Sequence, residues 1–423
     1  MDYSGIRKQY TDELSNYFQG GPYPQRATAD LRFGLDCQKK RVAKFGLTMQ
    51  KKFDKVGEEN VKNYEHVNAP YTYTLTTNRC DYETDFYKNG KLLGRSDFTE
   101  ETLYTGILNK QTQAQDHYTC KNCGHTDLLS KFTSGCPMCG TTYEMQQSYP
   151  CISGYFTRPA LISKKLYKGM MKYGFLYFGA LGAIFGLIAG LSISSDEGYG
   201  LSGTIGMTLF AMLVFGGGLL LFTFIFFNLL LGPALAAKKA VQQNEVLNLK
   251  AAAATKTKME GDIKKYIPDF SYEYFEEKVI SLLRGIVFSE DRGRLTIYDG
   301  TDDLSFMDNI IDVEYRGAVE YVGSSVVGDV IRVSVKAYVV CAYYSENFVD
   351  FQNQVFNVVL AKKVKKEDYG FTIHAVNCKK CAGSFDAIHV STCPYCGSQY
   401  SLIEDNWVVN QIQCVKTVMA SKW

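Results

Sequence analysis

The sequence predicts a multi-domain membrane protein whose soluble parts belong to the α+β class. Two uncharged, largely apolar runs lie back to back near the middle of a chain of 423 residues. Around them, segments with helical spacing of apolar residues alternate with segments of strict apolar–polar alternation. Two cysteine quartets of one common pattern occur, one on each side of the apolar runs. A chain of this length accommodates two or three domains.

The cysteine quartets have the spacing of metal-binding ribbons. The first reads C-K-N-C and then C-P-M-C, and the second reads C-K-K-C and then C-P-Y-C. Two close pairs separated by about a dozen residues can present four thiolates tetrahedrally to one Zn²⁺. We therefore predict two zinc ribbons, within residues 116–145 and 377–413, with disulfides as the alternative. The predicted ligands are Cys120, Cys123, Cys136 and Cys139 in the first ribbon, and Cys378, Cys381, Cys393 and Cys396 in the second.

Four sulfur ligands leave no open coordination position, which predicts structural rather than catalytic sites. Metal binding is effectively folding energy for modules this small. Gly140 and Gly397 follow the second cysteine pair of each quartet and permit the left-handed turn that closes such a motif. His125 and His389 lie close to the cysteines, but the quartets are complete without them, so neither is predicted to bind the metal.

The two apolar runs predict a transmembrane hairpin. The first span covers residues 173–195 and the second covers residues 201–231, after which Gly232 and Pro233 end it. Each run is long enough for one helical crossing of a bilayer. A buried core helix is the alternative for either run, but a soluble domain of this size rarely contains two in succession.

Flanking charge predicts the orientation of the hairpin. The connector carries only Asp196 and Glu197, whereas lysine and arginine residues precede the first span and follow the second. The positive-inside rule then places both termini in the cytoplasm of a two-span cell-membrane protein. A reducing cytoplasm also keeps thiolates available for zinc. The flanking basic residues are Arg158, Lys164, Lys165, Lys168 and Lys172 before the hairpin, and Lys238, Lys239 and Lys250 after it.

Small residues predict close helix packing within the membrane. Gly182, Gly186 and Gly190 recur every four residues and share one helix face, which permits close backbone contact. The partner is either the second span, through Gly216, Gly217 and Gly218, or another protomer in a homo-oligomer. The only strongly polar residue in either span is Asn228, near an end, so an anchor is favoured over a pore.

The N-terminal segment, residues 1–115, predicts helices followed by a small sheet. Apolar spacing predicts one long helix from Ala27 to Asn63, and Asn89-Gly90 predicts a two-residue hairpin turn between strands from Tyr71 onward. We expect the first ribbon to extend this sheet. Basic residues on the long helix predict either an ordinary solvated face or contact with anionic lipid headgroups. They are Lys39, Lys40, Arg41, Lys44, Lys51, Lys52 and Lys55.

The segment after the membrane predicts a linker and then a compact domain. Residues 234–261 are rich in alanine, without a clear apolar stripe, and are interpreted as a helical linker. Residues 262–376 predict an α+β unit in which Ser271 caps a helix and antiparallel strands follow. In the first strand, Ile311, Val313 and Tyr315 alternate with Asp312, Glu314 and Arg316. The long second strand has an apolar inner row from Ile331 to Cys341, and a closing strand follows Trp407.

The stretches D-F-S-Y-E-Y-F-E-E-K-V-I-S-L-L-R-G-I-V-F and I-I-D-V-E-Y-R-G-A-V resemble the C-terminal domain of mitochondrial import inner membrane translocase subunit 44. The whole chain is similar to bacterial zinc-ribbon membrane proteins that carry this domain. The resemblance implies a cone-like α+β fold, like nuclear transport factor 2, with an apolar cavity between helix and sheet. The chain departs from the mitochondrial family in having its own spans and two ribbons, and it lacks the long chaperone-binding segment. Docking of a partner or lipid near the membrane is therefore implied, but recruitment of an import motor is not.

No catalytic constellation stands out in the sequence. An enzyme requires a nucleophile with a base, paired carboxylates or an open metal site. None of the five histidines lies in a zinc-protease motif, and no phosphate-binding glycine loop occurs. Redox activity of the C-x-x-C pairs is an alternative that two complete quartets disfavour. The isolated cysteines are interpreted as buried hydrophobes, with lipid modification of Cys151 as an alternative. They are Cys37, Cys80, Cys151, Cys341 and Cys414.

We therefore predict a non-enzymatic, membrane-anchored scaffold or adaptor, with a transport association implied only by the resemblance. Its expected partners are the lipid bilayer and a cytoplasmic or membrane protein. A net charge of +2 predicts no nucleic acid partner. The alternative function is a ligand-binding or catalytic cavity in the cone domain, as in an enzyme or a sensor of small molecules or lipids.

Overall fold

The chain divides into two compact units. The computed structural model describes residues 3–54, 62–68, 71–110, 117–120, 122–132, 136–140, 150–158, 164–198, 200–226, 229, 249–367 and 376–419. The first unit combines Met1–Pro159 with Val246–Trp423, and the second is Ala160–Glu245. The segments before and after the apolar runs therefore fold together.

Two helices open the first unit, α1 (Tyr3–Phe18) and α2 (Ala29–Lys44). The predicted helix from Ala27 to Asn63 is wrong for the described residues beyond Lys44, and residues 55–61 lie outside the described residues. Gly46 adopts a left-handed φ of 67°, which a helix cannot continue through. The chain then forms strand β1 (Thr48–Asp54), whose residues pair with a later strand instead of continuing the helix.

The first sheet contains five antiparallel strands in the order β1-β3-β4-β7, with β2 also paired to β3. The predicted turn at Asn89-Gly90 is confirmed, because both residues have positive φ and Lys88 pairs with Lys91. The expectation that the first ribbon extends this sheet is wrong. The ribbon forms its own two-stranded sheet, and β7 pairs directly with β4. The strands are β2 (Lys62–Asn68), β3 (Tyr71–Lys88), β4 (Lys91–Lys110), β5 (His117–Thr119), β6 (Thr126–Leu128) and β7 (Cys151–Arg158).

A second antiparallel sheet, in the order β13-β10-β9-β8, packs against a buried helix. The helix α6 (Tyr272–Phe288) begins at Ser271, whose side chain accepts a hydrogen bond from the Tyr274 amide, as predicted. The inner row from Ile331 to Cys341 is buried against it. The strands are β8 (Ile310–Val327), β9 (Val330–Ser345), β10 (Phe348–Lys363), β11 (Val376–Asn377), β12 (Ser384–Phe385) and β13 (Val408–Met419).

The linker prediction is wrong for its C-terminal part. Helix α5 spans Leu249–Ile263 and buries Thr255, Met259 and Ile263, which recur every four residues and contribute one face. Met259 and Ile263 belong to the same core as α6. The earlier part of the predicted linker, residues 234–248, lies outside the described residues.

The polar row of β8 does not face solvent as strand alternation suggests. Asp312 and Glu314 are each 4% exposed, because the first sheet and α2 cover this face of β8. Ile311 on the same strand belongs to a core cluster built largely from α1, α2 and the first sheet. Both faces of β8 are therefore buried inside one unit.

The second unit contains two apolar helices, α3 (Lys164–Asp196) and α4 (Leu201–Ile225). Both are long and apolar enough to cross a bilayer, with mean hydropathy of 2.0 and 2.2 over their most apolar windows. Only 17% and 11% of those windows are buried in the protein, unlike the core helix of a soluble domain. Asn228, Gly232 and Pro233 lie outside the described residues.

The predicted glycine face of α3 contacts α4. A Cβ added to Gly182, Gly186 or Gly190 would lie within 2.7 Å of a backbone atom of α4. The nearest atoms belong to Gly216, Met212 and Thr208, respectively. Of the three glycines proposed on the second helix, Gly216 is the one whose backbone atoms are nearest to a Cβ added at Gly182, although a Cβ added to any of the three would itself meet open space.

Candidate metal centres and the buried charge network

The first quartet brings four sulfur atoms together. The Sγ atoms of Cys120 and Cys139 are 3.6 Å apart, and those of Cys123 and Cys136 are 3.7 Å apart. All four lie within 4.8 Å of one another. The amide of Cys120 donates to the His125 carbonyl at 2.7 Å, which folds the first cysteine pair into a tight turn.

The second quartet repeats this geometry. The Sγ–Sγ distances are 3.6 Å for Cys378–Cys396 and 3.6 Å for Cys381–Cys393. The hydroxyl of Ser398 lies 3.1 Å from the Cys378 sulfur, and its hydrogen bond lowers the pKa of that thiol to about 6.

Left-handed residues close the turns of both ribbons. Gly124, Gly140 and Gly397 have φ of 75°, 69° and 69°, so the turns predicted at Gly140 and Gly397 are confirmed. The fourth equivalent position is Ala382, which has φ of 57°. Its amide still donates to the Cys378 carbonyl at 2.8 Å, as the glycine amides do in the other turns. The metal-site geometry therefore imposes this conformation even on a residue with a side chain.

The sulfur arrangement fits one tetrahedral metal ion per quartet. Four ligands at about 2.3 Å from a central ion are separated by about 3.8 Å, close to the observed distances. A disulfide would require about 2.05 Å, and all eight thiols are free. His125 and His389 are not part of either cluster. Instead, His125 Nε2 lies 3.6 Å from a carboxylate oxygen of Asp127, and the ring centres of His389 and Phe33 are 5.7 Å apart.

A buried ion cluster joins the two sheets of the first unit. The Lys51 ammonium, 1% exposed, lies 2.9 Å from both Asp312 and Glu314 and donates to the Tyr82 hydroxyl at 2.7 Å. Burial raises the pKa of Asp312 to about 6, despite the opposing attraction of Lys51. Burial also opposes ionisation of Glu314, but Lys51 and Arg284 outweigh it and lower its pKa to about 2. One ammonium therefore lies between two buried carboxyl groups, and Arg284 contributes a second positive charge that lowers the pKa of Glu314.

The basic residues predicted on the long helix do not form one exposed face. Arg41 and Lys51 are each 1% exposed, and Arg41 donates to carbonyl oxygens of Ser289, Met307 and Asp308. The other described members also pair within the chain, although Lys40 and Lys44 remain exposed. These pairs are Lys39 with the Tyr17 carbonyl, Lys40 with Asp36, Lys44 with Glu290 and Lys52 with Glu83. Lys55 lies outside the described residues.

Three glutamates in the first turns of α6 bind three different parts of the unit. Glu273 contacts Lys256 of α5 and His66 of β2. Glu276 accepts two hydrogen bonds from Arg158, at 2.8 and 3.0 Å, at the end of β7. These contacts place α6 at the meeting point of the segments that precede and follow the apolar helices.

The third of these glutamates, Glu277, occupies a slot between two strands. A Cβ on Gly106 would lie 1.6 Å from the Glu277 carboxylate, and one on Gly154 would lie 2.6 Å from its side chain. Gly106 and Gly154 are paired across β4 and β7, so the missing side chains form one recess. Tyr73 donates to the carboxylate at 2.9 Å, and burial raises the pKa of Glu277 to about 7.

The isolated cysteines are largely buried, as predicted. Cys80, Cys151 and Cys341 are at most 2% exposed, and burial raises the pKa of Cys80 and Cys151 to about 12. Burial of Cys151 in the main core disfavours lipid modification of its thiol in the folded unit. Cys37 and Cys414 are partly exposed.

The described residues contain a small cleft, between α2, β7 and α6. Glu277, Arg284 and Gln38 are among the residues that line it. The cleft lies on one side of α6, and the second sheet lies on the other side. The resemblance implies an apolar cavity on the sheet side, but core side chains are packed there.

No protein-family model matches the chain, and no curated protein or solved structure matches it.

Proposed function

We propose that the protein is a membrane-anchored, non-enzymatic scaffold that holds a zinc-stabilised docking unit at the cytoplasmic face of the cell membrane. The observation that carries this proposal is the pair of closed four-sulfur clusters within one compact unit. Four thiolates in tetrahedral arrangement suit zinc and leave no position for substrate or activated water. The two ions would stabilise the unit rather than perform chemistry.

Chain connectivity supports the proposed topology. Segments before and after the apolar helices form one unit, so they lie on the same side of the membrane and the helices between them cross it an even number of times. Lysine flanks and free thiols both favour the cytoplasm for that side. The tight glycine contacts between α3 and α4 favour an anchor that packs within one chain.

The proposed docking module is the α+β part, residues 262–376. Its buried helix against an antiparallel sheet accords with a cone-like fold and with the resemblance to the translocase subunit 44 domain. The dense core between α6 and the sheet favours surface docking of a protein over an internal ligand. Phe348 is 55% exposed at the start of β10, a suitable position from which to probe such a surface.

The zinc assignment is tested by metal analysis of the purified full-length chain. We expect two zinc ions per chain, with the content falling to one in Cys123→Ser or Cys381→Ser. Iron in place of zinc, or fewer than two ions in the unmodified protein, would contradict the assignment.

The docking role is tested by photo-crosslinking in intact cells. A photoreactive residue at Phe348 should yield a discrete protein adduct, whereas the same residue at Glu197, in the predicted external connector, should not yield that adduct. The enzyme alternative predicts instead that a small molecule raises the thermal stability of the unit. Absence of any adduct from cytoplasmic positions would contradict the scaffold.

A further inference from the structure

The two metal clusters share one sequence pattern but differ in accessibility. In the first cluster, Cys123 and Cys139 are exposed. In the second, Cys381 and Cys396 are only partly exposed, and the other two cysteines are buried. Because the two clusters have the same ligands but different solvent exposure, we expect them to exchange metal at different rates.

The second ribbon is continuous with the main core. Ile388, within the spacer between its cysteine pairs, is fully buried and belongs to the same cluster as α6 and the second sheet. The Thr296 amide donates to the Ile388 carbonyl at 2.7 Å, and the Thr296 hydroxyl donates to the Ala387 carbonyl. Lys379, between the first two cysteines, pairs with Glu404. Opening this ribbon therefore disturbs the core of the unit.

The described part of the first ribbon has a buried cluster of its own, separate from the main core. Among the described residues, its buried cluster consists of Cys120, Phe132 and Cys136. Its strands β5 and β6 pair with each other. The ribbon is inserted between β4 and β7, which pair directly, as Ile107 does with Ile152. The sheet can therefore remain closed when the ribbon opens.

These structural differences determine how much free energy metal release requires in each ribbon. In small metal modules the binding free energy is the folding free energy. Release from the second ribbon must also expose core residues such as Ile388, whereas release from the first requires only local opening, which needs less free energy than global unfolding.

We infer that the first cluster is an exchangeable, metal-responsive site, whereas the second is a permanent structural site. The inference rests on the proposed occupancy of both clusters by zinc. Zinc availability then folds or unfolds the first ribbon while the rest of the unit stays intact. The folded ribbon presents Met138, which is 71% exposed between Cys136 and Cys139, so metal supply controls whether that surface exists.

The first test follows metal release from the full-length protein in detergent. A strong chelator is added, the released zinc is followed with a chromogenic indicator, and the fluorescence of Trp407 reports on the main core. Trp407 is 1% exposed and packs against Phe275, and the other tryptophan, Trp423, is replaced by phenylalanine. We expect one ion to leave at least about tenfold faster than the other, without a change in Trp407 fluorescence, because local opening precedes global unfolding.

The second test compares matched substitutions at the second cysteine of each quartet. Cys123→Ser should abolish the fast phase and leave the thermal midpoint of Trp407 fluorescence unchanged. Cys381→Ser should abolish the slow phase and lower that midpoint, or prevent folding. Equal release rates, or a Trp407 change that accompanies the fast phase, would overturn the inference even with two ions bound. A protein that binds fewer than two ions would instead defeat the zinc assignment itself.

Discussion

At the scale of single residues, the first unit depends on buried charges that neutralise one another across its two sheets. Lys51 lies on β1, whereas Asp312 and Glu314 lie on β8, and all three are at most 4% exposed. Burial of a charge is tolerated only where a partner and hydrogen bonds compensate for lost hydration. Here the lysine donates hydrogen bonds to oxygen atoms of three residues, Asp312, Glu314 and Tyr82.

Lys51→Met should therefore destabilise the first unit strongly. Removal of the ammonium leaves two adjacent carboxyl groups buried without their cation, at a cost of about 3–5 kcal/mol. The matched control is Lys52→Met, because the neighbouring side chain is 43% exposed and its surface ion pairs are worth about 1 kcal/mol or less. Urea unfolding followed by Trp407 fluorescence measures the free energy of unfolding of both variants. Similar losses in the two variants would show that the Lys51 cluster contributes little.

Glu277 and Glu273 should respond in opposite directions to amide substitution. Burial raises the pKa of Glu277 from 4.5 to about 7, so the folded state binds an extra proton between these values and stability falls as pH rises through this window. Glu277→Gln keeps the group neutral and lets it accept the Tyr73 hydrogen bond. Above about pH 7 it should raise stability by on the order of 1–3 kcal/mol and remove that pH dependence.

Glu273→Gln is the matched control on the same helical turn. Burial opposes ionisation of Glu273, but the adjacent His66 imidazole and the hydrogen-bonded Lys256 ammonium prevail and lower its pKa to about 2. Its stabilising contribution is fully present above the unfolded value of 4.5 and is lost as pH falls towards 2. At neutral pH this variant should lose about 1–3 kcal/mol. Unfolding midpoints of both variants, measured across pH, test these expectations. A stabilising effect of Glu273→Gln at neutral pH would contradict the lowered pKa of Glu273.

At the scale of elements, local signals were predictable and long-range ones were not. The Ser271 cap, the Asn89-Gly90 turn and the metal quartets each depend on residues close in sequence, and the structure has all three geometries. The burial of Asp312 depends on Lys51, which is 261 residues away in the chain. Strand alternation alone could not reveal that a second sheet covers the polar row. The sequence also could not reveal that the second ribbon contacts the main core, because the contact between Thr296 and Ile388 joins residues that are 92 positions apart.

The helix α2 shows a different limit of sequence patterns. Apolar residues continue at roughly helical spacing past Lys44, and the same residues also suit a strand. Met49, for example, pairs with Phe86 on β3 and is 2% exposed. A single positive φ at Gly46 changes the direction of the chain, and the pairing with β3 then stabilises the strand.

Gly186→Ala should loosen the packing of α3 against α4. The new Cβ would lie 2.4 Å from the Met212 Cα, so the helices must separate, at a typical overpacking cost of about 1–3 kcal/mol. Disulfide crosslinking of Phe178→Cys with Phe222→Cys, whose native rings are 6.5 Å apart, reports helix proximity by mass spectrometry. The yield should fall several-fold, whereas Gly217→Ala, which meets open space, should leave it unchanged. Equal yields in both variants would refute close packing through Gly186.

At the scale of the whole molecule, the hairpin interrupts a unit whose two parts complete each other. One core cluster combines residues of the first sheet, such as Tyr73 and Phe156, with α6 and the second sheet. Another combines α1 and α2 with Ile311 and Val349 of the second sheet. Each part would expose a large apolar surface without the other. The apolar helices are thus an insertion into a folded unit, not a boundary between independent domains.

Replacement of residues 160–245 by a flexible linker should therefore yield a soluble, folded protein. The core clusters of the first unit draw all their described members from the sequences before and after this segment. A Gly/Ser linker of about 20 residues has a root-mean-square span of about 25 Å and imposes little strain. The product should bind two zinc ions and show cooperative unfolding of Trp407, and Lys51→Met should destabilise it as in the full-length chain. An insoluble product, or one that unfolds without cooperativity, would mean that the hairpin is required to assemble the unit, because the cores alone would then be insufficient.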